Sequence, residues 1–98
     1  TSACWNRYHV ALFRTVAIGK IPQLARDMYA VCAEGLETAI GKLRAGNTCA
    51  DVHNAVQAVI DKAGFTAGYR KRTGYSMGIS FAPDWGEDAP DDPETLGR

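Results

Sequence analysis

Two stretches of helical periodicity stand back to back in this chain, and almost nothing separates them. Leu24, Met28, Val31/Cys32, Leu36, Ala39/Ile40 and Leu43 recur at three- and four-residue spacing, and Val52, Ala55/Val56 and Val59/Ile60 repeat the pattern. A connection that short predicts two helices lying side by side as a hairpin, over 22–45 and 49–63. Pro22 fits a first-turn position, where its missing N–H does no harm. Gly46 is expected to cap the first helix and Gly64 to end the second. Thr48 and Asp51 resemble a capping box with Asp in place of Glu. Leu36, Ile40, Val56 and Ile60 are expected between the helices and a sheet. Gly35 and Gly41, each unfavourable by up to about 1 kcal/mol against Ala inside a helix, are read as marks of close packing. His53 falls one position off the second stripe and is read as a surface histidine.

The flanks read as strand. Residues 3–18, ACWNRYHVALFRTVAI, are rich in β-branched and aromatic residues and form one long strand or a bent pair. Alternation puts Tyr8, Val10, Leu12, Val16 and Ile18 on an apolar face and Arg7, His9, Ala11, Phe13 and Thr15 on a mixed one. Such a pair of faces suits a sheet that packs helices on one side and frames a cavity on the other. Residues 69–82 return to strand composition. Tyr75, Met77, Ile79 and Phe81 alternate there with Gly74, Ser76, Gly78 and Ser80, so one face is bulky and the other nearly bare. A bare face lets another backbone or a ligand come close. Residues 83–98 hold three of the four prolines and read as an acidic, Pro-rich loop or tail.

The 98 residues make one domain at most, or a piece of one. Eleven basic and eleven acidic residues cancel, which argues against nucleic acid or an anionic membrane as partner. The charge is uneven all the same: Arg70, Lys71 and Arg72 are contiguous, and residues 84–94 carry six carboxylates and no base. Cys4, Cys32 and Cys49 are odd in number and far apart. That is neither a disulfide framework nor a zinc spacing, and reduced thiols in a cytoplasmic protein are expected. No apolar run approaches a membrane span. The sequence TSACWN lacks an initiator methionine, and the chain is expected to begin inside a longer protein.

Strand, helix, helix, strand and loop give an α/β (α+β) domain and no activity. There is no phosphate-binding glycine loop, no nucleophile elbow and no closely spaced Cys/His set. Resemblance carries the reading further. YHVALFRTVAIG (8–19), LRAGNTCADV (43–52) and RTGYSMGISFAPDWGE (72–87) are similar, in order, to three blocks of the creatinase/prolidase/aminopeptidase P family. That resemblance implies part of the family's pita-bread catalytic domain, with curved antiparallel strands backed by the helical hairpin. The last block most resembles the ectoine hydrolases.

The resemblance also says where metals would sit. In the metallopeptidase members a strand Y-x-x-D-x-x-R-T supplies a carboxylate bridging two divalent ions; here it reads Tyr8 to Thr15, with Ala11 at the aspartate position. The same members place a histidine ligand where Tyr75 stands and a second, proton-handling histidine where Ala82 stands. The partner aspartate would fall before Thr1 and two glutamates after Arg98. Alanine ligates nothing and a neutral phenol is a poor ligand, so no metal and no cofactor is expected. Creatinase, a metal-free member, also has alanine at the Ala11 position, but it carries a creatine-binding glutamate where Phe13 stands, so a guanidinium substrate is not expected.

The resemblance therefore implies a metal-independent hydrolase of a C–N bond in a small zwitterion or cyclic amidine, ectoine-like. An Xaa-Pro metallopeptidase and a non-catalytic binding relative are the alternatives. His9 and Tyr75 are the candidate catalytic residues. Phe13, Asp84, Trp85 and Glu87 are the candidate substrate-binding residues, the carboxylates meeting a cation and Trp85 offering a π face. Each has a plainer reading: His9 as a hydrogen-bonding residue of the sheet, Tyr75 as a core phenol, and Trp85 and Glu87 as loop anchors. Expected partners are a small-molecule substrate and, through open strand edges, either a second copy in a dimer or the remainder of its own protein. By itself the 98-residue chain is expected to be inactive.

Overall fold

The structure, a computed structural model, describes residues 1–68, 73–75 and 77–79. The chain opens with an antiparallel hairpin of β1 (Ser2–Trp5) and β2 (Tyr8–Ala11), paired Ser2 to Ala11, Ala3 to Val10, Cys4 to His9 and Trp5 to Tyr8. Asn6 and Arg7 form the two-residue turn, both with positive φ (47° and 69°). That is the backbone hand that matches the twist of the flanking strands, and asparagine tolerates it readily. Thr1 and Leu12 extend the ladder by one pair, Leu12 N–H donating to Thr1 O at 2.8 Å and the Thr1 ammonium to Leu12 O at 3.1 Å.

Of the two forms expected for 3–18, the structure takes the bent pair, and the strand stops at Ala11. Residues 12–18 are exposed, and beyond Leu12 they have no strand partner among the described residues. Alternation therefore no longer assigns Phe13, Val16 or Ile18 to a face. Tyr8, Val10 and Leu12 are exposed, and His9 and Ala11 are half-buried. The mixed face, not the apolar one, is the more covered.

Helix α1 spans Gln23–Lys42 and α2 spans Cys49–Lys62. Pro22 sits one place earlier than expected, as the N-cap, with φ −59° and ψ 147°. Its carbonyl accepts from Ala25 and Arg26. Helix α1 also ends earlier than expected. Its C-cap is Leu43, and Gly46 (φ +93°) serves the turn beyond it. Arg44 Nη1 donates to the Ile40 and Leu43 carbonyls, and Asn47 Nδ2 donates to Lys42 O at 2.7 Å, which satisfies the helix's last acceptors.

The start of α2 is the capping box foreseen at Thr48 and Asp51. Asp51 N–H donates to Thr48 Oγ1 at 3.1 Å, and Thr48 N–H donates to Asp51 Oδ2 at 2.8 Å. Its end is a Schellman motif: Phe65 N–H donates to Ile60 O and Gly64 N–H to Asp61 O, with Gly64 at φ +80°.

The helices pack on a narrower seam than the apolar spacing suggested. Cys49, Val52, His53 and Val56 of α2 are buried, as is Gly35 of α1. Val31, Thr38 and Ala39 flank Gly35 and are half-buried. A methyl group added at Gly35 would lie 3.5 Å from Val56 Cγ1, at ordinary van der Waals contact, so Gly35 faces Val56 across the seam. Leu36 and Ile40, expected in the core, are 60% and 47% exposed, whereas Val56 is buried and Ile60 half-buried. Gly35, with Val31, Thr38 and Ala39 beside it, takes the inward face of α1, which leaves Leu36 and Ile40 on the flank. Gly41 meets nothing within 4 Å and marks no close contact.

His53 corrects the sequence reading: it is 4% exposed, on the packed face. Its Nδ1 pairs with Thr73 Oγ1 at 2.9 Å, bringing residue 73 against α2. A short 3-10 turn, Thr66–Gly68, follows α2. Among the described residues of 69–82, Tyr75 is a single bridge residue and no strand forms. The segment 83–98 lies outside the described residues. The architecture is thus a β-hairpin and a helical hairpin, an α+β arrangement matching part of the expected fold.

Candidate functional site

The best-defined polar arrangement lies where β2 meets residues 77–79. In a hairpin with a two-residue turn, alternate pairs exchange ladder bonds, and the Cys4–His9 pair does not. The His9 N–H therefore points away from β1. It donates to Gly78 O at 2.8 Å, and His9 Nδ1 lies 3.0 Å from the same oxygen. A carbonyl oxygen can only accept, so Nδ1 carries the proton in this bond. In the neutral imidazole the lone pair is then on Nε2. The ring is thus oriented by a main-chain oxygen. Glycine at 78 fits this approach. Its φ is +155°, and an added Cβ would lie 3.9 Å from Tyr8 Cδ1.

Ala11 follows two residues later on the same strand face, half-buried like His9. Cys4 stands across from His9 as an exposed thiol, and none of Cys4, Cys32 and Cys49 forms a disulfide. Tyr75 is on the segment that brings Gly78 to His9, and it is exposed. Phe13 is 78% exposed and lies beyond the strand, so the fold does not carry it to the His9–Ala11 face. Arg14, two residues further from Leu12, turns its Nη1 onto the neighbouring Phe13 O at 2.7 Å, a local contact. Asp84, Trp85 and Glu87 lie outside the described residues, as does Ala82.

Three participants were not legible as such. Gly78 acts through a main-chain carbonyl, which no side-chain pattern announces. Thr73 acts through its pairing with a histidine misplaced on the surface. His53 did leave a signal: Cys49, Val52, His53 and Val56 are spaced i, i+3, i+4, i+7, the same face that packs.

Asp51 has a depressed carboxyl pKa. The Thr48 N–H bond, and then the Thr48 hydroxyl, hold its carboxyl below the usual 3.8. It is a cap and not a catalytic group.

The peptidase members of the resembled family would hold two metals, and the described residues do not fit that set. Ala11 has no donor atom, and Tyr75 offers a phenol. Among the described residues, no three His, Cys, Asp or Glu side chains gather to hold an ion. Nor, among the described residues, is any helix long and apolar enough to cross a membrane.

Comparison with known proteins places the chain. The model of metallopeptidase family M24 matches residues 1–96. An ectoine hydrolase of Halomonas elongata is 40% identical over 83 residues, covering 85% of this chain and 21% of that protein. An uncharacterized hydrolase/peptidase of Sinorhizobium fredii is 37% identical over 86 residues, 88% of this chain and 21% of its own length. An agropine synthesis cyclase of Rhizobium rhizogenes is 38% identical over 82 residues, 81% of this chain and 20% of its own length. The chain thus spans about a fifth of the length of these relatives. No solved structure matched.

Proposed function

This chain belongs to metallopeptidase family M24, and we propose that it works as one wall of a metal-independent hydrolase site acting on a C–N bond of a small cyclic zwitterion, ectoine itself being the first substrate to test. The observation that carries the reading is the pair of departures at Ala11 and Tyr75, in two separate motifs, combined with 40% identity to an ectoine hydrolase. Losing ligand atoms at both positions removes the means of bridging two ions while keeping the wall itself.

The chemistry then falls to side chains. His9, with Nδ1 committed to Gly78 O, takes a proton from water at Nε2. The water oxygen bonds to the amidine carbon, the C–N bond breaks, and the departing nitrogen is protonated. Tyr75 offers a phenol to that nitrogen or to the developing negative charge. Asp84, Glu87 and Trp85 meet the substrate's positive charge. The protein is cytoplasmic and dimeric in this reading.

A second reading, an Xaa-Pro peptidase using two metals, is favoured by the family's name and by the hydrolase/peptidase relative. One experiment separates them. The intact protein, extensively treated with chelator and checked by elemental analysis, is incubated with ectoine and, separately, with an Xaa-Pro dipeptide, and the products are followed by NMR. Ring opening by metal-free protein is the expected outcome. Ectoine left untouched, with dipeptide cleavage that returns only on adding Mn or Co, would overturn the proposal.

A further inference from the structure

Both histidines of this chain, His9 and His53, bond to the same short stretch, one at each end. His53, buried on α2, pairs through Nδ1 with Thr73 Oγ1 at 2.9 Å. His9, on β2, takes Gly78 O through both its backbone N–H and its ring. Tyr75 lies between, two residues after one anchor and three before the other. We propose that His53 is a positioning residue for the candidate site: by holding Thr73 it fixes, together with the His9–Gly78 bonds, where Tyr75 stands relative to His9.

The geometry supports this in three steps. First, the anchors belong to different units, the helical and the β-hairpin, so the stretch is the bridge between them. Second, five residue steps span at most about 17 Å when fully extended. A tether that short, held at both ends, couples the position of one end to that of the other. Third, the bonds differ in cost of loss. The His53 ring is almost fully buried, so losing the Thr73 hydroxyl removes a hydrogen bond from a group away from water, which is unfavourable. An exposed surface histidine would have no such consequence. Glycine at 74 and 78 gives the backbone at those two positions wide conformational freedom, which bonds at Thr73 and Gly78 restrict. This deepens the hydrolase reading and rests on it only for the activity measurement below.

The test uses His53→Leu, His53→Asn, Thr73→Val, Thr73→Ser and the Leu/Val double variant of the intact protein. Leucine keeps bulk without the bond, and Asn restores a polar group near the Nδ1 position. The first readout is amide hydrogen exchange, which needs no substrate. His53→Leu and Thr73→Val should each speed exchange at the His9 amide and over 77–79 by about five- to ten-fold, the size expected for one lost, partly buried hydrogen bond. The double variant should be no faster than either alone. His53→Asn and Thr73→Ser should restore protection, and peptides covering Val31–Ala39 should not change. The second readout is turnover of ectoine, where kcat should fall in the Leu and Val variants with KM within about two-fold, the split expected of mispositioning and not of lost binding. Failure of the wild-type protein to turn over ectoine would remove the substrate reading and leave the exchange result to decide. Unchanged His9 exchange, additive effects, or equal loosening throughout α1 would overturn the proposal.

Discussion

The helical seam gives the sharpest energetic test, because the apolar spacing and the observed packing assign burial to different residues. Val56 is 7% exposed and faces the bare backbone of Gly35, whereas Leu36 is 60% exposed. Val56→Ala deletes two methyl groups from the seam. At about 0.8 kcal/mol each the transfer loss is about 1.6 kcal/mol. Gly35 has no side chain to fill the gap, so a cavity term of up to about 1 kcal/mol adds to it. The expected cost is about 1.5–2.5 kcal/mol. Leu36→Ala removes more atoms from a less buried site. Only about 40% of a leucine's roughly 1.5–3 kcal/mol burial energy is at stake, or about 1 kcal/mol, and alanine's helix propensity offsets part of that. Urea unfolding followed by far-UV circular dichroism, with equal slopes required before the midpoints are compared, measures both. A Leu36→Ala loss larger than the Val56→Ala loss would refute the glycine-centred seam and restore the broader stripe.

Gly41→Ala should stabilise by about 0.5–1 kcal/mol, because the position is helical and a methyl group would meet nothing within 4 Å; a rise in the thermal midpoint checks it. Thr48→Ala should destabilise by about 0.5–2 kcal/mol through loss of the cap, read in the same melt. Asp51, its folded pKa lowered by the Thr48 N–H and hydroxyl, contributes stability that is fully present above its unfolded value near 3.8 and is lost as pH falls through the lower folded value. Asp51→Asn should accordingly flatten the stability profile below about pH 4, and an unchanged acid limb would contradict the assignment.

How far the fold could be read ahead depended on which forces act locally. The capping box at Thr48 and Asp51, and the glycine ending of α2, involve atoms within a few residues of one another, so residue type and spacing suffice. The hairpin turn at Asn6–Arg7 was not resolved from a single long strand, because the run from Ala3 to Ile18 has the same composition on both sides of the reversal. The face of α1 was misjudged for a different reason. Leu36 and Ile40 satisfy an apolar spacing, but the face of α1 that is buried is centred on Gly35, a position that an apolar count passes over. Periodicity counts apolar positions; it does not weigh closeness of approach.

The candidate site divides along the same line. His9 and Ala11 were placed on one face by strand alternation, which is a rule of the backbone and holds as far as the strand does. Phe13 was placed by the same rule beyond Ala11, where the strand has ended and the rule has no force. The contacts that shape the site run between residues 69 and 20 positions apart, His9 to Gly78 and His53 to Thr73. Their partners are a main-chain oxygen and a hydroxyl, neither of which stands out in a sequence. What does stand out is the glycine at 74 and 78 of the stretch TGYSMG, which gives the backbone at those positions wide conformational freedom. Such a stretch near a candidate tyrosine calls for anchors elsewhere in the chain. Side chains able to donate or accept from a buried position are the natural suppliers, and this chain has two histidines to do it. A buried polar residue at a helical core spacing is therefore better read as a question about its partner than as a surface residue slightly out of place.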